Sequence, residues 1–121
     1  MNKKFFVPFE TAQLLKEKGY PQDKSDYGYF DNGDSHPLIM FPADNFDCAA
    51  PTFHEVLDWL EGKRIRVEVR MGYRQKTGQW LWCGFVYVVE DEDYETSQLV
   101  DWCSTREEAL NDGILAALEM L

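Results

Sequence analysis

Apolar positions recur along this chain in two rhythms, one of about 3.6 residues and one of two, and the switches between them set the predicted elements. Phe53, Val56, Leu57 and Leu60 fall at i, i+3, i+4 and i+7, a helical stripe that needs a core to face. Thr52 and Glu55 precede it at capping-box spacing, and Gly62 suits the left-handed residue that ends a helix. At Arg64 the period changes to two: Ile65, Val67, Val69 and Met71 alternate with Arg64, Arg66, Glu68 and Arg70, which predicts a strand with one buried and one polar face. Lys76-Thr77-Gly78 then reads as a three-residue hairpin loop with glycine where positive φ is needed. The returning strand, residues 79–89, is apolar on both faces, with Trp80, Trp82, Val86 and Val88 on one and Leu81, Cys83, Phe85, Tyr87 and Val89 on the other. Such a strand is expected to be central.

The same rhythms organise the rest. Residues 8–18 predict a first helix, with Phe9, Ala12, Leu15 and Leu14 towards the core, Gly19 at the stop and Pro21 barring continuation. Short apolar runs at 27–31 and 37–41 flank Asp31-Asn32-Gly33-Asp34, and Asn-Gly is a strong hairpin signal. Pro37 and Pro42 bracket the second run and mark it as an edge strand. Residues 43–50 read as a loop, 90–95 as an acidic solvated connection, and 96–103 as a third strand. Ser104-x-x-Glu107 and Thr105-x-x-Glu108 both have capping-box spacing, so a last helix starts there, with a stripe of Leu110, Ile114, Ala117, Leu118 and Leu121. The expected fold is α+β: a three-stranded antiparallel meander in α-β-β-β-α order with its helices on one face, plus an N-terminal helix and short hairpin.

Composition bounds this picture. With 121 residues, 45% of them hydrophobic and 15% aromatic, the chain is expected to form one domain, 1–121, and not a disordered one. Cys48, Cys83 and Cys103 are too few for a disulfide framework, and no C-x-x-C pair suggests zinc. His36 and His54 add little, so no metal or other cofactor is expected. Asp31, Asp34, Asp44 and Asp47 lack the order of a calcium loop and are read as turn residues. The first ten residues are basic and then apolar, but Pro8 and Glu10 break the run too early for a signal segment or a span. The expectation is a cytoplasmic protein with reduced thiols and no membrane partner.

Charge is uneven, and this bears most on function. The formal net charge is −10, yet residues 63–76 hold Lys63, Arg64, Arg66, Arg70, Arg74 and Lys76 against the single acid Glu68. Residues 90–121 carry ten acids and one base. If a three-residue loop closes the hairpin, Arg74 lies opposite Trp80 and Gly72 opposite Trp82, and Arg66, Arg70, Arg74, Trp80 and Trp82 share one face. Guanidinium over indole is a cation–π arrangement, and both residue types are enriched at binding hot spots. That face is either a binding surface or packs on itself or beneath the N-terminal half; a slip of one residue would remove it. Catalysis has weaker support. His54 and Asp58 stand one helical turn apart, but no nucleophile-base-acid order or phosphate loop appears, so no enzymatic activity is expected.

The α-β-β-β-α order is that of double-stranded-RNA-binding domains, but the start of the last helix reads Ser104-Thr105-Arg106-Glu107-Glu108 where those domains present lysines. No direct nucleic-acid binding is therefore expected. Four marks together carry a closer resemblance: Phe9-Glu10-x-Ala12-x-Leu14-Leu15-Lys16-Glu17-x-Gly19, an aromatic-rich hairpin, Cys48-Ala49-Ala50-Pro51-Thr52 leading into a Trp59-Leu60 helix, and Glu107-Glu108-Ala109-Leu110 followed by Ile114-Leu115-x-x-Leu118. With these the chain resembles a group of small uncharacterised proteins of phages and mobile elements of gut Bacteroidetes. The resemblance brings no activity with it. Taken with the arginine-tryptophan face, the expected function is that of a non-enzymatic accessory or interaction protein of a phage or mobile element that binds a host or phage protein; the alternative is an acidic mimic of nucleic acid that inhibits a DNA- or RNA-binding host protein through its carboxylates.

Overall fold

The computed structural model describes residues 5–23, 26–30, 37–40, 47–90, 93–99 and 102–121. They form three helices, α1 (Phe9–Glu17), α2 (Phe53–Gly62) and α3 (Arg106–Leu118), and six strands: β1 (Tyr27–Tyr29), β2 (Leu38–Met40), β3 (Cys48–Ala49), β4 (Ile65–Arg74), β5 (Gln79–Glu90) and β6 (Asp93–Leu99). The class is α+β with antiparallel pairing in both sheets. The chain divides into two compact units, 1–55 and 56–121, and the division falls inside α2 after Glu55.

In the first unit β1 is the middle strand, pairing with β2 on one side and β3 on the other. β2 thus lies at an edge, as its flanking prolines require. The turn expected at Asn32-Gly33 falls outside the described residues, as do Asp31, Asp34, His36 and Asp44. α1 lies against β3 and buries Phe9, Ala12 and Leu15, while Leu14 is exposed. Gly19 ends the helix turn at φ 94°. The ring of Phe9 meets Tyr29 edge-on at 5.7 Å, and the Tyr29 hydroxyl donates to the Val7 carbonyl. β3 replaces part of the loop expected over 43–50; a two-residue strand is too short to show any alternation.

The capping box of α2 is closed in both directions. The Glu55 backbone N–H donates to Thr52 Oγ1 (3.2 Å) and the Thr52 N–H to Glu55 Oε1 (3.0 Å). Phe53, Val56 and Leu60 are buried and Leu57 is half-buried. Gly62 does not end the helix as expected, because it is still helical; the left-handed residue is Arg64, at φ 63°. The backbone bonds from Lys63 to Leu60 and from Arg64 to Glu61 draw out the last turn by two residues and place the reversal on arginine.

In the second unit β5 pairs with β4 along ten residue pairs, Ile65↔Val88 to Arg74↔Gln79, and with β6 on its other side. The acidic stretch expected to be a loop is mostly strand: β5 continues through Glu90, and β6 starts at Asp93, opposite it. The pairing outlasts the hydrophobic pattern, with one register shift at Val88/Val89. Of the strand expected over 96–103, β6 holds residues 96–99, residues 100 and 101 lie outside the described residues, and Cys103 forms an isolated bridge with Trp82. α3 is capped by Thr105, whose side chain accepts from the Glu108 N–H at 3.1 Å. It packs on β4 and β5 and buries Ala109, Leu110, Gly113, Ile114, Ala117 and Leu118. Leu121, expected in that stripe, is exposed, because the helix stops at Leu118.

Two glycines bring α3 down onto the sheet. A Cβ on Gly84 would stand 2.8 Å from the Ala109 carbonyl oxygen, and one on Gly113 would stand 2.6 Å from Val67 Cγ1. A side chain at either place would have to push its neighbour aside. Among the described residues no helix is long and apolar enough to cross a membrane.

Candidate binding surface on the β4–β5 hairpin

Directly opposed residues of an antiparallel pair share a face. One face of β4–β5 therefore carries Ile65, Val67, Val69, Met71 and Tyr73 with Val88, Val86, Gly84, Trp82 and Trp80, and the other carries Arg66, Glu68, Arg70, Gly72 and Arg74 with Tyr87, Phe85, Cys83, Leu81 and Gln79. This register is one residue away from the one a three-residue loop would impose. The turn has four residues, 75–78, and closes on Arg74, whose carbonyl accepts from the Gly78 N–H at 2.9 Å. Gly78 does take positive φ, 67°. The added residue exchanges the faces.

The expected interleaving of arginine with tryptophan is corrected by this register. Arg66, Arg70 and Arg74 lie on the face opposite Trp80 and Trp82. Arg70 stacks over Phe85 instead, with its guanidinium carbon 5.0 Å from the ring centroid, and donates to Glu68 Oε2 (3.2 Å) and the Tyr87 hydroxyl (3.4 Å). Arg66 pairs with Glu61 at 3.5 Å and Glu68 at 3.9 Å. Arg74 is half-buried at the last pair before the turn. An arginine-aromatic layer exists, but its rings are Phe85 and Tyr87, which stack at 6.4 Å.

The tryptophan face has two ends. Near Ile65, Val67, Gly84 and Val86 it is buried, and α3 lies on it through Gly84 and Val67. Towards the turn it opens, with Met71 52%, Tyr73 51% and Trp80 66% exposed and Trp82 half-buried. Tyr73 and Trp80 are paired across the strands, with centroids 5.5 Å apart and planes tilted at 54°. Large apolar side chains grouped at one exposed place differ from scattered ones, which need no explanation. Met71 and Tyr73 were absent from the expected site. Their signal was the period-two pattern, which continues past Val69 through Met71 and Tyr73 up to the turn.

On the reverse face Trp102 fills the space over Gly72, where a Cβ would meet its ring at 3.0 Å. Trp102 is held there because its neighbour Cys103 exchanges both backbone hydrogen bonds with Trp82, at 2.7 and 2.8 Å. The Cys103 thiol donates to Asp112 Oδ2 on α3 at 3.2 Å, and burial together with that carboxylate pushes its pKa up to about 12. Burial also raises the Cys83 thiol. Both sulfurs stay protonated and unreactive at neutral pH.

The Glu55 carboxylate is committed to the cap of α2, and His54 and Asp58 sit on exposed positions of that helix. Of the four aspartates, Asp47 alone lies among the described residues; its N–H donates to the Tyr29 carbonyl and its carbonyl accepts from Lys16 Nζ at 2.7 Å. Comparison with protein-family models, with curated protein sequences and with solved structures returns no match for this chain.

Proposed function

We propose that this chain is a non-enzymatic interaction protein that binds another protein through the open end of the β4–β5 hairpin. The observation that supports this is the grouping of Met71, Tyr73 and Trp80 on one exposed face, beside a half-buried Trp82. Aromatic side chains on a rigid strand pair lose little conformational freedom on binding and bury much area, which makes them effective anchors. Phe85 and Tyr87, by contrast, are occupied by Arg70 on the other face.

In this reading the protein acts in the cytoplasm as an accessory of a phage or mobile element, on a host or phage protein, and requires no cofactor. The finer architecture belongs to the same proposal: a β4-β5-β6 meander with α2 and α3 sharing one face, which leaves the hairpin end projecting.

The experiment is capture from host lysate with mass-spectrometric identification, using the wild-type chain, Trp80→Ala, and a Glu107→Lys/Glu108→Lys form. Loss of one specific partner with Trp80→Ala, and its retention with the lysine form, supports the aromatic surface. The reverse pattern points to nucleic-acid mimicry by the acidic residues of 90–121 and contradicts it.

A further inference from the structure

The chemistry of the partner can be narrowed from the strand that borders the exposed face. β4 stands at the end of the β4-β5-β6 order, and among the described residues no strand pairs with its outer side. It is ten residues long, well beyond the very short edges by which sheets avoid pairing with other chains. Its second half alternates two kinds of side chain. Met71 and Tyr73 point to the aromatic face, while Arg70 and Arg74 point to the other, with Lys76 following in the turn. On that face Glu68 pairs with Arg70 at 3.2 Å, and between Glu68 and Glu90 the sequence has no acidic residue, so Arg70, Arg74 and Lys76 outnumber the one carboxylate. A cationic strip therefore runs beside an apolar one, on opposite faces of a single edge.

A second copy of this chain is a poor occupant of that edge. Where two copies of residues 70–74 are joined antiparallel about Gly72, Arg70 of each stands opposite Arg74 of the other, and like charges directly opposed are destabilising. A strand of opposite charge has the reverse preference. We infer that β4 receives an extended acidic-apolar segment of a partner protein, added as a further strand, with its apolar side chains beside Met71 and Tyr73 and its alternate carboxylates beside Arg70 and Arg74.

Backbone hydrogen bonds to the open edge hold such a segment, and the two side-chain strips select its sequence. Six residues, about 20 Å of strand, reach from Val69 to Arg74. This assignment rests on the proposed protein-binding role of the hairpin end. It adds to that role the edge, the direction of the side chains and the charge of the ligand.

The test uses synthetic eight-residue peptides with the full-length chain. One alternates valine and glutamate, a second has the same composition in two blocks, and a third alternates valine and lysine; oligothymidylate is the nucleic-acid probe. Binding is followed by indole fluorescence, and amide exchange is mapped over residues 65–74. The alternating acidic peptide should bind at least about tenfold more tightly than its block isomer, a difference of about 1.4 kcal/mol, and should slow exchange along β4. Arg70→Glu/Arg74→Glu should transfer the preference to the lysine peptide, a gain that misfolding cannot imitate. Tyr73→Ser should weaken the acidic peptide without changing the charge preference. Equal binding of alternating and block peptides, or slowed exchange elsewhere than β4, overturns strand addition. Tighter binding of oligothymidylate overturns it in favour of a nucleic-acid ligand. If the peptides fail while capture still depends on Trp80, strand addition is wrong and the aromatic surface stands. If capture is also indifferent to Trp80, both are wrong.

Discussion

The two ends of the β4–β5 hairpin differ although their sequences alternate in the same way. At one end Ile65, Val67 and Val86 are buried beneath α3; at the other, Met71, Tyr73 and Trp80 on the same face are exposed. Hydropathy does not distinguish them. Side-chain size does: the covered end has Gly84 under the Ala109 carbonyl and Gly113 over Val67, so the helix backbone can approach, whereas the open end carries rings that would hold any helix away. Absent side chains thus choose where the core closes, and the large ones left outside become the exposed surface.

The strongest way to break this comparison is to remove what fills the covered end. Ile114 and Leu118 are almost completely buried, and either changed to alanine should cost about 2–5 kcal/mol in denaturant melts. Next come the glycines. Gly84→Ala forces a methyl against a backbone oxygen that cannot rotate away and should cost about 1–3 kcal/mol. Gly113→Ala meets a Val67 methyl instead, so Val67→Ala in the same chain should return part of its loss, as a double-mutant cycle can measure.

A loss confined to alkaline solution marks the seam between the two ends. The folded Cys103 thiol titrates at about 12 against 9.0 for an ordinary thiol, so the unfolded chain releases its proton first. Stability from this group is complete below pH 9 and falls as pH rises from 9 towards 12. Comparing unfolding midpoints at pH 8 and pH 10 should show a decline that Cys103→Ala reduces. The smallest change is expected at the open end, where Trp80→Ala should shift stability by no more than about 0.5 kcal/mol. A large shift there would mean that Trp80 supports the fold.

Much of the scaffold was legible because local chemistry decides it. Thr52/Glu55 and Thr105/Glu108 sit where their hydrogen bonds are needed, and Gly19 and Gly78 adopt the positive φ that their positions suggested. The reversal after α2 was misplaced because Gly62 is the better residue by intrinsic preference, but the chain carries it on Arg64. β3 and the strand character of residues 93–95 escaped notice because both arise from pairing with distant segments, which local pattern does not encode. At the site, the sequence left open whether the tryptophan face is exposed or covered, and it did not give the composition of the open end. One residue more in the turn moved Arg66, Arg70 and Arg74 away from Trp80 and Trp82 and brought Met71 and Tyr73 to them. A loop's length is set by which carbonyl closes it, and here Arg74 rather than Gln75 does so.

The central claim is that the covered end carries stability while the open end carries recognition. The most direct measurement is partner capture by a Tyr73→Ala/Trp80→Ala chain beside the wild type, with the denaturation midpoint of each recorded on the same preparations. The account predicts a midpoint close to that of the wild type and complete loss of the partner. Undiminished capture by the folded double variant would contradict it.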